Sequence, residues 1–146
     1  MGQLAASYET YERPGLVMAY KLAAAKVWKG AMVGVDATGY LRPMNPATAN
    51  MKFVGIANET VDNSAGNAGD KSVNVTKTGS FVLKAASGYT PAITELGKEA
   101  YAASDWETSS SSAGLTNAYK IGTIVAVETA SSGSSGVRVR IDNFSV

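Results

Sequence analysis

The sequence contains no cysteine and no histidine. Without cysteine there is no disulfide framework and no thiol chemistry, and the redox compartment stays open. Without histidine the commonest general base and the commonest metal ligand are missing. Charge is also sparse, at 17% of residues against roughly 25% in ordinary domains. The 13 basic and 12 acidic residues are interspersed and leave a net charge of +1. No basic face emerges that would steer the chain to nucleic acid or an anionic membrane. No stretch approaches the ~20 consecutive apolar residues of a membrane span. Residues 1–7 lack a charged segment followed by a long apolar run, so they do not read as a signal peptide. The expectation is a soluble protein made in the cytoplasm, with no nucleic-acid and no membrane partner.

What the sequence does hold is β-texture. Over residues 69–85, Val73 and Val75 alternate with polar residues, and so do Phe81 and Leu83, with Gly79 between the two runs. Period-two alternation places the apolar side chains on one face of a strand. The glycine suits a bend between the members of a long strand pair. Further strands are expected over 29–36, 51–58, 99–104, 118–128 and 136–141, with Gly-, Asn- and Ser-rich turns between them, and residues 40–42 lead out of the first turn toward Pro43 and Pro46. Many short strands joined by turns predict an all-β barrel or sandwich. A chain of 146 residues is long enough to bury roughly 68–70% of its unfolded surface.

Residues 1–27 have a different texture. Tyr8, Tyr11, Arg13, Leu16, Met18 and Tyr20 supply aromatic, apolar and basic side chains without a core periodicity, and Pro14-Gly15 breaks any helix. The segment reads as an extended arm that lies on another surface, or as a frayed terminus. The β-domain then occupies residues 28–146.

A faint internal repeat runs through that domain. Residues 30–36 resemble 97–105, residues 53–60 resemble 120–129, and residues 72–75 resemble 136–139. The three matches keep nearly one spacing along the chain. They are either chance likeness between β-rich segments or a pseudo-symmetric pair of half-barrels, since two copies cannot stack into a solenoid.

Catalytic patterns are hard to find. The run Gly66-Asn67-Ala68-Gly69-Asp70-Lys71-Ser72 has the wrong spacing for a phosphate loop and leads into a strand where the motif needs a helix. Asp62, Asn63, Ser64 and Asp70 lack the EF-hand pattern, so no metal and no cofactor is expected. Asp36, Asp105 and Asp142 fall at strand ends, where Asp ordinarily bonds local backbone; a hydrolase would need two of them facing across a cleft. The serines have no evident base. No enzyme is expected. Trp28 and Trp106 flank strands and read as core or interface anchors, and Arg138 and Arg140 share a strand face as a solvated surface or a contact between subunits.

In order along the chain, Trp28-Lys29-Gly30, Val33-Gly34-Val35-Asp36, Gly39-Tyr40, Phe53-Val54-Gly55-Ile56-Ala57, Gly69-Asp70-Lys71-Ser72-Val73-Asn74-Val75, Gly79-Ser80-Phe81, Leu96-Gly97-Lys98, the Asp105 turn, Lys120-Ile121-Gly122 and Gly136-Val137-Arg138-Val139 resemble the tailed-phage capsid decoration (cement) proteins. The resemblance spans residues 28–142. It implies a small β-barrel or β-tulip domain without catalysis, placed on the outer surface of the virion. The implied partners are the major capsid protein and further copies of the chain, as a homotrimer or a dimer. It also implies an N-terminal arm gripping the capsid through Tyr8, Tyr11, Arg13, Leu16, Met18 and Tyr20, with Trp28, Trp106, Arg138 and Arg140 at subunit interfaces. The alternative is a head-fibre base or carbohydrate-binding β-module, which would expose Trp28, Tyr89, Trp106 and Tyr119 on one face.

Overall fold

The computed structural model describes residues 6–7 and 16–142. The fold is all-β, and among the described residues the only helical element is a 3₁₀ turn at Ile93–Glu95. The strands are β1 (Val17–Lys21), β2 (Lys26–Val27), β3 (Met32–Val35), β4 (Leu41–Pro43), β5 (Lys52–Ala57), β6 (Val61–Asp62), β7 (Ser72–Thr76), β8 (Thr78–Ala85), β9 (Glu99–Ala102), β10 (Glu107–Ser109), β11 (Lys120–Thr129) and β12 (Ser135–Asp142).

Five of them form a sheet in the order β1-β7-β5-β3-β4, and five others close a barrel in the order β10-β8-β12-β11-β9. The two orders are one plan used twice. In the first unit Met32 pairs with Ile56, Val33 with Gly55 and, past a register shift, Gly34 with Phe53. In the second, Glu99 pairs with Thr123, Ala100 with Gly122 and, past a shift, Tyr101 with Lys120. Val17 opposite Thr76 and Tyr20 opposite Val73 correspond to Ser80 opposite Arg140 and Leu83 opposite Val137. Gly30 N–H donates to Ala57 O at 2.8 Å, and Gly97 N–H donates to Ile124 O at 2.8 Å. The second barrel closes where β8 runs parallel to β10, Ala85 opposite Thr108. At the matching place of the first unit, Leu22 makes a parallel bridge to Leu41. The repeat is therefore real, and each copy is a whole five-stranded unit instead of half a barrel.

Gly55 and Gly122 show why the plan needs those residues. A Cβ on Gly55 would overlap Thr76 O and touch Val75 Cγ1, and one on Gly122 would overlap Arg140 O and touch Val139 Cγ1. At both places the neighbouring strand approaches too closely for any side chain.

Two expectations need correction. The boundary at residue 27 is displaced, because β1 pairs along its whole length with β7 and Leu22, Ala23 and Val27 are buried. β1 is the first strand of the first copy, the counterpart of β8, so over residues 17–27 the extended segment lies on its own domain. Residues 8–15 of the expected arm, with Tyr8, Tyr11 and Arg13, lie outside the described residues. Last, β7 and β8 are not partners: the chain crosses from one unit to the other at Lys77, and Gly79 stands within β8 opposite Ile141.

Two clusters make the core. Leu22, Val27, Val33, Leu41, Val54, Val73 and Val75 fill the first unit. The other cluster holds Ile121, Ile124, Val137, Val139 and Ile141 of the second unit together with Met32, Met44, Met51, Phe53 and Ile56 of the first. Both faces of β5 are thus buried: Val54 and Ala57 toward its own unit, Phe53 and Ile56 toward the other. Hydrogen bonds fix the seam, from Met32 N–H to Asp105 O at 2.7 Å and from Met51 N–H to the Tyr119 hydroxyl oxygen at 3.1 Å.

Candidate functional site

A cleft of about 710 Å³ lies along this seam. Trp28 and Trp106 both line it, 59% and 49% exposed. Each stands on a turn held by its own unit. On one wall, Ala31 N–H donates to Trp28 O at 3.1 Å and Lys29 N–H to Thr60 Oγ1 at 2.9 Å. On the other, Ser104 Oγ accepts from Trp106 N–H at 3.3 Å and Glu107 N–H at 3.1 Å. The bond from Met32 to Asp105 ties the second turn to the first unit, so the two indoles are set relative to one another through the seam.

Both rings carry an ammonium. Lys26 Nζ sits 3.8 Å from the Trp28 centroid and Lys84 Nζ 4.1 Å from that of Trp106. Such contacts are worth about 0.5–1 kcal/mol at exposed sites and hold the ring in place. Lys84 is also paired with Glu107 at 3.2 Å. Lys29, Lys84, Asp105, Ser131 and Ser132 supply the polar groups of the cleft. Burial, reinforced by the charge of Glu107, pushes the Asp105 carboxyl above its usual range.

The other carboxylates are spoken for. Burial would raise Asp36, but hydrogen bonds from the Thr38 hydroxyl, Arg42 and the Thr38 and Tyr40 N–H groups outweigh it and hold the group at about 2. Asp142 pairs with Arg140 at 3.0 Å. Among the described residues no three His, Cys, Asp or Glu side chains converge as metal ligands would, and no helix is long and apolar enough to cross a membrane.

The residues expected at subunit contacts do not form one site. Trp28 and Trp106 share the cleft, whereas Arg138 and Arg140 lie on the outer face of β12. There Arg138 holds the carboxylate of Glu128 with Nε and a terminal nitrogen. Of the arm residues, Leu16 is 68% and Met18 41% exposed, joined by Val17 at 47%. Tyr20 instead packs on the first core and accepts a hydrogen bond from Lys77 Nζ at 2.7 Å. Of the four aromatics considered for sugar stacking, Tyr89 and Tyr119 are half-buried against the second core. The Lys26–Trp28 contact was legible, since residues two apart on an extended chain share a side. The Lys84–Trp106 contact was not, because it depends on the parallel pairing of β8 with β10.

Comparison with protein-family models, curated proteins and solved structures finds no match.

Proposed function

We propose that the protein is a non-enzymatic virion structural protein that decorates the outside of an expanded phage capsid and bridges adjacent major capsid protein subunits, acting as a homotrimer. The observation that carries this reading is β1. Leu16, Val17 and Met18 put an apolar strip in solvent on a strand whose outer edge, among the described residues, meets β4 through the Leu22–Leu41 bridge and the Ala23 N–H bond to Leu41 O. An open strand edge with apolar side chains suits strand addition, in which main-chain bonds supply affinity and pockets supply specificity. The ordered resemblance to decoration proteins supports the same reading, and many copies on a lattice make weak individual contacts sufficient.

The test is co-sedimentation with bare, expanded heads of the encoding phage. Because β1 belongs to the fold, the informative truncation removes residues 1–15 only. Saturable binding by the full chain, lost in Val17→Lys/Met18→Lys, supports a grip through β1. Loss on truncation alone moves the grip to residues 1–15. No binding by the full chain overturns the proposal. Sedimentation equilibrium of the free protein tests the trimer.

A further inference from the structure

We infer that the seam cleft between Trp28 and Trp106 is a saccharide-binding site. The duplication supplies a built-in control. By register, Trp106 stands where the first unit has Gly39, and Trp28 stands where the second has Glu95. Each unit completes its five-stranded plan without a tryptophan at the matching position, so the fold does not demand either indole. Both nevertheless face one cleft, at a place created only when the two units join.

The chemistry of the walls selects the ligand class. A pyranose ring offers a face of C–H groups to an indole and a rim of hydroxyls to polar side chains. The cleft is lined by the two tryptophans together with Lys29, Lys84, Ser131, Ser132 and Asp105, residue types that supply ammonium, hydroxyl and carboxylate groups. Asp105 forms no ion pair among the described residues and is partly desolvated; a sugar hydroxyl donating to it relieves that cost. Lys26 backs Trp28 without lining the cleft, and Lys84 on the cleft wall has its charge balanced by Glu107. The volume falls within the ~300–1,000 Å³ of small-molecule sites, and indoles held by cations and locked turns lose little freedom on binding.

The experiment is a tryptophan-fluorescence titration of the full chain with hexamers of N-acetylglucosamine, of α-linked glucose and of galacturonic acid. A saturable change with at least one is expected, and the three distinguish neutral from acidic glycans. Trp28→Ala and Trp106→Ala should each weaken binding about tenfold or more, with folding checked by circular dichroism. Should an alanine variant fail to fold, Trp→Phe at the same site keeps the stacking face and should retain most of the affinity. Asp105→Asn should weaken binding several-fold, as it removes the charged acceptor. No saturable change with any of the three probes overturns the inference, as does an affinity indifferent to both tryptophans. A change produced by bare capsids or by a polyproline peptide, and by none of the sugars, also overturns it and assigns the cleft to a protein. Capsid binding through β1 is read by sedimentation, so the two proposals fail separately.

Discussion

Phe53 and Lys120 occupy the same place in the two copies, each opposite its counterpart on the neighbouring strand, Gly34 or Tyr101. Phe53 is 7% exposed and packs in the seam beside Met32 and Ile56. Lys120 is exposed and pairs with Glu99 at 3.0 Å, with Thr123 alongside. So the outer face of one sheet reads Met, Phe, Ile and the matching face of the other reads Glu, Lys, Thr. The backbone plan does not choose between them. What decides is whether a neighbour covers the face, since burying each large apolar side chain is worth ~1.5–3 kcal/mol and an exposed surface ion pair contributes ~1 kcal/mol or less.

Exchanging the two faces is the severest way to break this comparison. Phe53→Lys with Ile56→Thr should destabilise by about 4 kcal/mol or more in denaturant unfolding, because a charge enters a closed seam. The reverse exchange, Glu99→Met/Lys120→Phe/Thr123→Ile, should leave each unit folded and appear instead as self-association in sedimentation velocity. Next in size is the closure of the first unit. Leu22→Ala should cost about 2–5 kcal/mol, whereas the second unit already has Ala85 there beside Thr108, whose hydroxyl donates to Tyr101 O at 2.8 Å.

Gly55→Ala and Gly122→Ala sharpen the comparison. Each should cost about 2–3 kcal/mol, and matched losses in thermal unfolding would mark one shared close approach. The smallest effect concerns the turn after β3, where Asp36 N–H donates to Tyr40 O in one copy and Ala103 N–H to Glu107 O in the other. Only the first turn has a carboxylate at its head. With a folded pKa of about 2 below an unfolded value near ~3.9, Asp36 stabilises the protein fully above about pH 4, and the contribution is lost as pH falls toward 2. Asp36→Asn should lower stability by about 1 kcal/mol at neutral pH, and its difference from wild type should shrink across that acid window.

The all-β class was legible because alternation around Val73, Val75, Phe81 and Leu83 survives in single strands. The repeat was legible in its glycines, since Gly55 and Gly122 are fixed by backbone contact. Its extent was not. β1 and β8 share strand positions but little chemistry, Val-Met-Ala-Tyr-Lys against Ser-Phe-Val-Leu-Lys, and so the first strand read as an arm. Continuous burial of Phe53, Val54, Ile56 and Ala57 records two partners on two faces, which a local pattern cannot apportion. The cleft was legible only as two tryptophans, because its walls come from turns far apart in sequence.

The seam also changes what dilution can do. Had the two units been separate chains, Met32, Phe53 and Ile56 would hold them together only at concentrations above a dissociation constant. One covalent crossing at Lys77 replaces that mass action with an effective concentration set by a tether of a single residue between β7 and β8. The cleft built on the seam is therefore equally complete in a lone molecule and in a crowded one.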